Sequence, residues 1–159
     1  YGSDTIRYFV LRNFQFSTGD DGDFSESKLI ERHNNELANK LGNLVARTST
    51  LAEKYGTTKT PNKLLKKLNL KKIGKHFENY QIDRALEEIF AFIDRCNEYI
   101  QKKKPWETKD KKVLYELAES IREIANQLEP FIPETSEKIK KQFSDLRKIK
   151  KSEILFKKI

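Results

Sequence analysis

Apolar residues recur along this chain at intervals of three and four, which gathers them on one face of successive helices. A first short helix carries Ile6, Tyr8, Phe9 and Leu11, with Ser3 or Asp4 placed to cap it. The pattern lapses from Asn13 to Asp23, where Gly19 and Gly22 fall. Asp23 and Glu26 have the spacing of a helix-start box. The helix they open runs to about Tyr55, with Ile30, Leu37, Leu41, Leu44, Thr48 and Leu51 on one stripe and Gly56 as its stop. At a rise of about 1.5 Å per residue it would be roughly 45 Å long, the spine of the domain.

Thr60-Pro61 reads as a cap followed by proline in the first turn, opening a segment with Leu64, Leu65, Leu68, Ile73 and Phe77 that Gly74 is placed to break. Ile82, Leu86, Ile89, Phe90, Ile93 and Ile100 mark the next helix, ended by Pro105. Val113, Leu114, Leu117, Ile121, Ile124 and Leu128 mark another, which stops before Pro130. Pro133 starts a last one carrying Ile139 and Phe143. Four main helices with short links predict an all-α antiparallel bundle. We expect a connector over 1–24, the bundle over 25–144, and a tail over 145–159 that packs on it.

Composition sharpens this picture. With four Pro, six Gly and abundant Lys, Glu and Leu in 159 residues, the chain reads as a helical domain with a sizeable core. No apolar run approaches a membrane span, and one cysteine, Cys96, excludes an internal disulfide. Together these predict a cytoplasmic setting. The net charge of +8 favours a polyanionic partner, with solvated surface lysines as the plain alternative. No Met occurs, and Tyr1 is a poor residue to follow a removed initiator, so we expect a piece of a longer chain.

The candidate chemistry centres on Lys102-Lys103-Lys104-Pro105-Trp106, which holds the only tryptophan. Lysines that neutralise phosphate beside a ring on which an unpaired base can stack are the two parts of a single-strand binder. The plain alternatives are a tryptophan that plugs the seam between two helices and lysines that complement a helix C-terminus. Catalysis finds little support. His33 and His76 have no second ligand at metal spacing, which leaves surface or capping roles. Asp20-Asp21-Gly22-Asp23 departs from a calcium loop, no phosphate cradle is present, and Cys96 sits among apolar neighbours. We assign no catalytic and no metal-binding residue.

Three early stretches follow one another: Tyr1 to Phe9 (YGSDTIRYF), Asp21 to Ser25 (DGDFS), and Leu37 to Thr48 (LANKLGNLVART). Cys96 to Ile100 (CNEYI), Lys104-Pro105-Trp106, and Leu128 to Thr135 (LEPFIPET) come later. In this order and spacing they closely resemble the C-terminal part of methionyl-tRNA synthetases, which are class I aminoacyl-tRNA synthetases. The resemblance covers nearly the whole chain. It implies a helical anticodon-binding domain preceded by a connector from a catalytic half. That half would use ATP with magnesium, leaves a zinc site there open, and joins methionine to its tRNA through an adenylate. The implied partners are the initiator and elongator methionine tRNAs, through their CAU loops, and the catalytic half itself, with neither membrane nor DNA among them. A chain without that half should be inactive alone.

The family reads the anticodon with an Asn and an Arg one turn apart on the first long bundle helix, plus a Trp after a proline. Those positions match Asn43, Arg47 and Trp106. The residue types suit the task, because side chains at i and i+4 share a helix face. An amide and a guanidinium fork can hydrogen-bond the edge of the first anticodon cytosine, while an indole stacks on a splayed loop base. Asn39, one turn earlier, and Lys102, Lys103 and Lys104 are weaker additions. Plain roles stand beside these: a solvated Asn43, or Arg47 paired with a carboxylate of a neighbouring helix. The rival functions are an anticodon domain of another class I synthetase, a generic basic RNA binder, and a helical protein adaptor docking through Ile154-Leu155-Phe156.

Overall fold

The computed structural model describes residues 1–15 and 24–159. Helix α1 is Ser3–Asn13. Helix α2 is continuous over 26–55 and consists of an α segment Glu26–Arg32, a π-helical stretch His33–Gly42 and an α segment Asn43–Tyr55. Then come α3 (Leu70–Glu78), α4 (Ile82–Lys103), the single turn α5 (Pro105–Thr108), α6 (Lys111–Leu128) and α7 (Pro133–Gln142). The second half of α2 packs on α6, α6 also packs on α4 and α7, and α1 lies across α4 and α7. The expected all-α bundle is therefore present.

Leucines and isoleucines form the core because each helix turns one apolar stripe inward. Leu41 and Leu44 of α2, Ile93 of α4, Ile121 of α6 and Ile139 of α7 are all fully buried. Each such side chain contributes about 1.5–3 kcal/mol relative to exposure. No helix among the described residues is long and apolar enough to cross a membrane.

The face that α2 buries differs from the expected stripe at both ends. Leu29 is buried while Ile30 and Leu51 are only half-buried. One buried row runs Leu29, His33, Leu37, Leu41, Val45 and Ser49, in steps of four, with Glu36, Leu44, Thr48 and Ala52 buried beside it. Such steps drift by about 40° each in a regular α-helix. The wider turns of the π stretch, where the Asn43 N–H reaches back to the Ala38 carbonyl, hold them on one face.

Several start signals also act differently. Neither Ser3 nor Asp4 caps α1, whose N-cap is Gly2. The first turns of α1 and α7 lie side by side, so the Thr135 N–H donates to Asp4 Oδ2 at 2.7 Å and Ser3 Oγ donates to Glu134 Oε1 at 2.8 Å. Asp4 thus caps a helix 131 residues away. Helix α2 begins at Glu26, with Ser25 Oγ accepting from the Lys28 N–H. Asp23 and the Asp20–Asp23 cluster lie outside the described residues. No helix opens at Thr60-Pro61. The chain there is tied down by Asn62, whose Nδ2 donates to the Glu116 carbonyl and to Glu119 Oε2, both at 3.0 Å, before a 3-10 turn Leu65–Lys67. Asn69 caps α3, and the helix runs unbroken through Gly74, since a lone glycine costs a helix only about 1 kcal/mol.

His33 is neither at the surface nor a cap. It is buried, with Nδ1 3.0 Å from Thr5 Oγ1 and Nε2 2.7 Å from the Lys157 carbonyl. Its ring meets Phe156 edge-on. Asn34 pairs with both the N–H and the carbonyl of Ile159, so the tail runs along α2. Of the late apolar cluster only Phe156 is buried; Ile154 is exposed and Leu155 half-buried.

Cys96 is fully buried on α4, and burial pushes its thiol up from 9.0 to about 12. The stabilisation from keeping it neutral is complete below about pH 9 and lost as pH climbs towards 12. Since the thiolate is the nucleophile, iodoacetamide at pH 8 should leave the native chain unlabelled and modify it readily in urea. Native labelling at the denatured rate would contradict this burial.

Candidate nucleic-acid interface

The second half of α2 and the α4–α5 corner bring the candidate residues together. Helix α4 stops at Lys104, whose left-handed backbone (φ 47°, ψ 55°) turns the chain sharply. Pro105 then starts α5 with the fixed φ of a first helical position. Lys109 is also left-handed (φ 54°), and Asp110 caps α6 by accepting from the N–H groups of Lys112 and Val113. Two tight turns thus hold one helical turn between two long helices. Pro105 is buried and Trp106 is half-buried, packed against the core.

The indole does not simply plug a seam. The Arg47 guanidinium lies over it, Cζ 5.3 Å from the ring centroid, across 59 residues of sequence. Arg47 Nη2 also donates to Gln101 Oε1 at 3.3 Å. Among the described residues Arg47 pairs with no carboxylate, so its charge is not neutralised within the protein. Stacking a guanidinium on indole is worth about 0.5–1 kcal/mol at an exposed site. It leaves the outward N–H donors of the fork available.

Asn43 and Asn39 are exposed on the same helix, one and two turns before Arg47. They line a shallow groove of about 710 Å³ with Gly42, Ala46 and the tail residues Ile154, Phe156, Lys157 and Lys158. Asn39 belongs to the π stretch and Asn43 follows it directly. That stretch is braced from α4: Asn97 Nδ2 donates to the Lys40 carbonyl at 3.3 Å, and Lys40 Nζ pairs with Asp94 Oδ2 at 2.7 Å. The structure therefore joins Arg47 to Trp106 directly and places Asn43 and Asn39 along the same helix.

The three lysines separate. All are exposed, but Lys102 faces a groove with Asp94, Asn97, Glu98 and Gln101. Lys103 turns the other way, its Nζ 5.7 Å from the Tyr99 ring centroid, and Lys104 forms the left-handed corner. The Tyr99 hydroxyl donates to Glu116; burial first and that carboxylate second raise its pKa. Sequence reasoning missed Gln101 as a partner of Arg47, and missed the tail lysines beside Asn43. Gln101 sits five residues before Trp106 on the polar face of α4, a signal too weak to single it out. Among the described residues no three His, Cys, Asp or Glu side chains gather as metal ligands.

A family model described as the anticodon-binding domain of tRNA ligase matches residues 62–158. A second, for tRNA synthetases class I (M), matches residues 1–49. The chain is 37% identical over 163 residues to a methionine–tRNA ligase of Clostridium tetani, covering 91% of this chain and 25% of that one. It is 40% identical over 161 residues to the methionine–tRNA ligase of Caldanaerobacter subterraneus subsp. tengcongensis, covering 89% of this chain and 25% of the relative. Its fold matches the free-state methionyl-tRNA synthetase of Mycobacterium tuberculosis with a TM-score of 0.83 and 25% identity, covering 98% of this chain and 39% of that one. The chain thus spans about a quarter of the length of the curated relatives named here.

Proposed function

Since the chain belongs to the anticodon-binding domain family of tRNA ligases, in its methionyl-tRNA synthetase class, we propose that it reads the CAU loop of methionine tRNAs through Asn43, Arg47 and Trp106. The observation that carries this reading is the unneutralised Arg47 guanidinium stacked over Trp106 at 5.3 Å, one turn from Asn43 on an exposed helix face. A loop base stacks on the platform that ring and guanidinium form together. The free donors of Arg47 and the amide of Asn43 take the hydrogen-bonding edge of the first anticodon base. Asn39 extends that row towards the tail. The net charge of +8 draws the RNA in, and the rigid α4–α5 corner keeps the ring in place.

Residues 1–24 act as the connector to a catalytic part, 25–144 as the reading bundle and 145–159 as a tail strapped along α2. Binding the loop fixes the orientation of the tRNA, so that its acceptor end reaches the catalytic part. There methionine is joined to tRNA with ATP and magnesium in the cytoplasm, and any zinc belongs to that part too. None of those groups is assigned to a residue of this chain.

Titrating the chain with a CAU stem–loop, beside one altered only at the first anticodon base, tests this through Trp106 fluorescence. Quenching at much lower concentration by CAU is the expected result. Equal quenching by both loops would replace the reading with generic basic RNA binding, and no binding of either, checked by filter retention, would favour the protein-adaptor reading.

A further inference from the structure

A second basic groove lies beside the α4–α5 corner and shares no lining residue with the groove at Asn43. It has a volume of about 350 Å³ and runs between the segment after Thr60, the last turn of α4 and the first turns of α6. Lys63, Lys67, Lys103 and Lys112 line it, with Asp110 and Glu116. By formal charge that is four against two, but the carboxylates are already committed to the scaffold. Asp110 Oδ1 accepts from the N–H groups of Lys112 and Val113 at 2.9 and 3.2 Å. Glu116 is buried, with Oε1 accepting from the Lys63 N–H at 3.0 Å and Oε2 accepting from the Tyr99 hydroxyl. The four ammonium groups are exposed, and among the described residues none of them forms an ion pair.

Around this groove the sequence is uniformly basic. From Lys54 to Phe77 there is no Asp or Glu, and the intervening residues include Lys59, Lys63, Lys66, Lys67, Lys71, Lys72 and Lys75. Acids that hold the fold and leave the cations unpaired make a groove that accepts an anion. Its place selects which anion. Lys103 is three residues before Trp106, and Tyr99, whose ring it covers, is one turn earlier on α4. A strand whose base stacks at Trp106 therefore has its backbone within reach of the groove.

We propose that Lys63, Lys67, Lys103 and Lys112 form a phosphate-binding track for the RNA backbone flanking the loop held at Trp106. This rests on the anticodon reading above and adds to it. Trp106, Arg47 and Asn43 discriminate bases, whereas the track supplies affinity without sequence preference, as phosphate contacts do. It also divides the lysines of the α4 end: Lys103 contacts phosphate, while Lys102, beside Asp94 and Glu98, does not.

The test compares a Lys63→Gln/Lys67→Gln/Lys112→Gln variant with a control of equal charge, Lys71→Gln/Lys75→Gln/Lys138→Gln, which alters exposed lysines outside the groove. Dissociation constants for CAU and first-base-altered stem–loops are measured between 50 and 300 mM salt, with helicity and urea midpoints checked. The log–log salt slope of the groove variant should fall by roughly 2–3, about 0.7–0.9 for each lost phosphate contact. Its preference for CAU should persist, and the control should keep a slope within about one unit of wild type. A folded groove variant with an unchanged slope would overturn the track while leaving the anticodon reading intact, and equal losses in both variants would replace it with diffuse charge attraction. If the wild-type chain failed to prefer CAU, the anticodon reading would fall and the track with it.

Discussion

Replacing Trp106 with alanine is expected to weaken binding of a CAU stem–loop about 5- to 150-fold, corresponding to about 1–3 kcal/mol for a lost base stack. The ring has two neighbours to lose, the base and the Arg47 guanidinium that lies over it. Without the indole, Arg47 keeps only its 3.3 Å bond to Gln101 to orient it. Arg47→Ala should therefore produce a loss of similar size, and the double variant should lose less than the two together, because residues in contact are not additive. The Trp106 variant should stay folded, since its ring is half-buried at a corner and the four-helix core is made elsewhere. Affinities measured by a labelled stem–loop, with circular dichroism as the folding check, decide the matter. Unchanged affinity in a folded Trp106→Ala/Arg47→Ala chain would remove both residues from the site.

Phe131→Ala should destabilise the fold by about 3–5 kcal/mol. Phe131 is 1% exposed in the link between α6 and α7, its N–H bonded to the Leu128 carbonyl at 2.9 Å. Its ring packs on Phe77 with centroids 5.7 Å apart, which fastens the short helix α3 to the bundle. Removing it leaves a cavity under two elements that are too short to collapse into it. A domain of this size is stable by only about 5–15 kcal/mol, so a large share of its stability should go. Urea unfolding would measure the loss; a change below about 1 kcal/mol would show that Phe131 is not an anchor. The folded fraction of the variant should still prefer CAU, because Phe131 touches no residue of the reading site.

The candidate trio Asn43, Arg47 and Trp106 came from the family resemblance, and its chemistry was legible because residue type and helical spacing are local properties. Asn43 and Arg47 share a face by arithmetic, and Pro105-Trp106 announces a turn with a ring on it. Arg47 meeting Trp106 was not legible, since nothing local relates two residues 59 positions apart. The same holds for Glu116, which reads as an ordinary helix-surface acid. Only the fold reveals that it is spent on the Lys63 N–H and the Tyr99 hydroxyl, which leaves nearby lysines unpaired.

By itself the sequence determined the helices, because a stripe of apolar residues every three or four positions is stable only when wound and buried. It also determined their principal breaks at Gly56, Pro105 and Pro133, and the basic character that suits a polyanion. Tertiary structure alone decided the rest. It chose Leu29 over Ile30 by widening α2 into a π stretch, a geometry that no local propensity favours and that Asn97 and Asp94 of α4 help to brace. It sent Asp4 to cap α7 rather than its own helix, buried His33 between α1 and the tail, and turned Lys103 away from Lys102. Each of these depends on a partner distant in sequence. Hydrogen bonds and packing of that kind are set by which surfaces the folded chain brings together, not by the residues on either side.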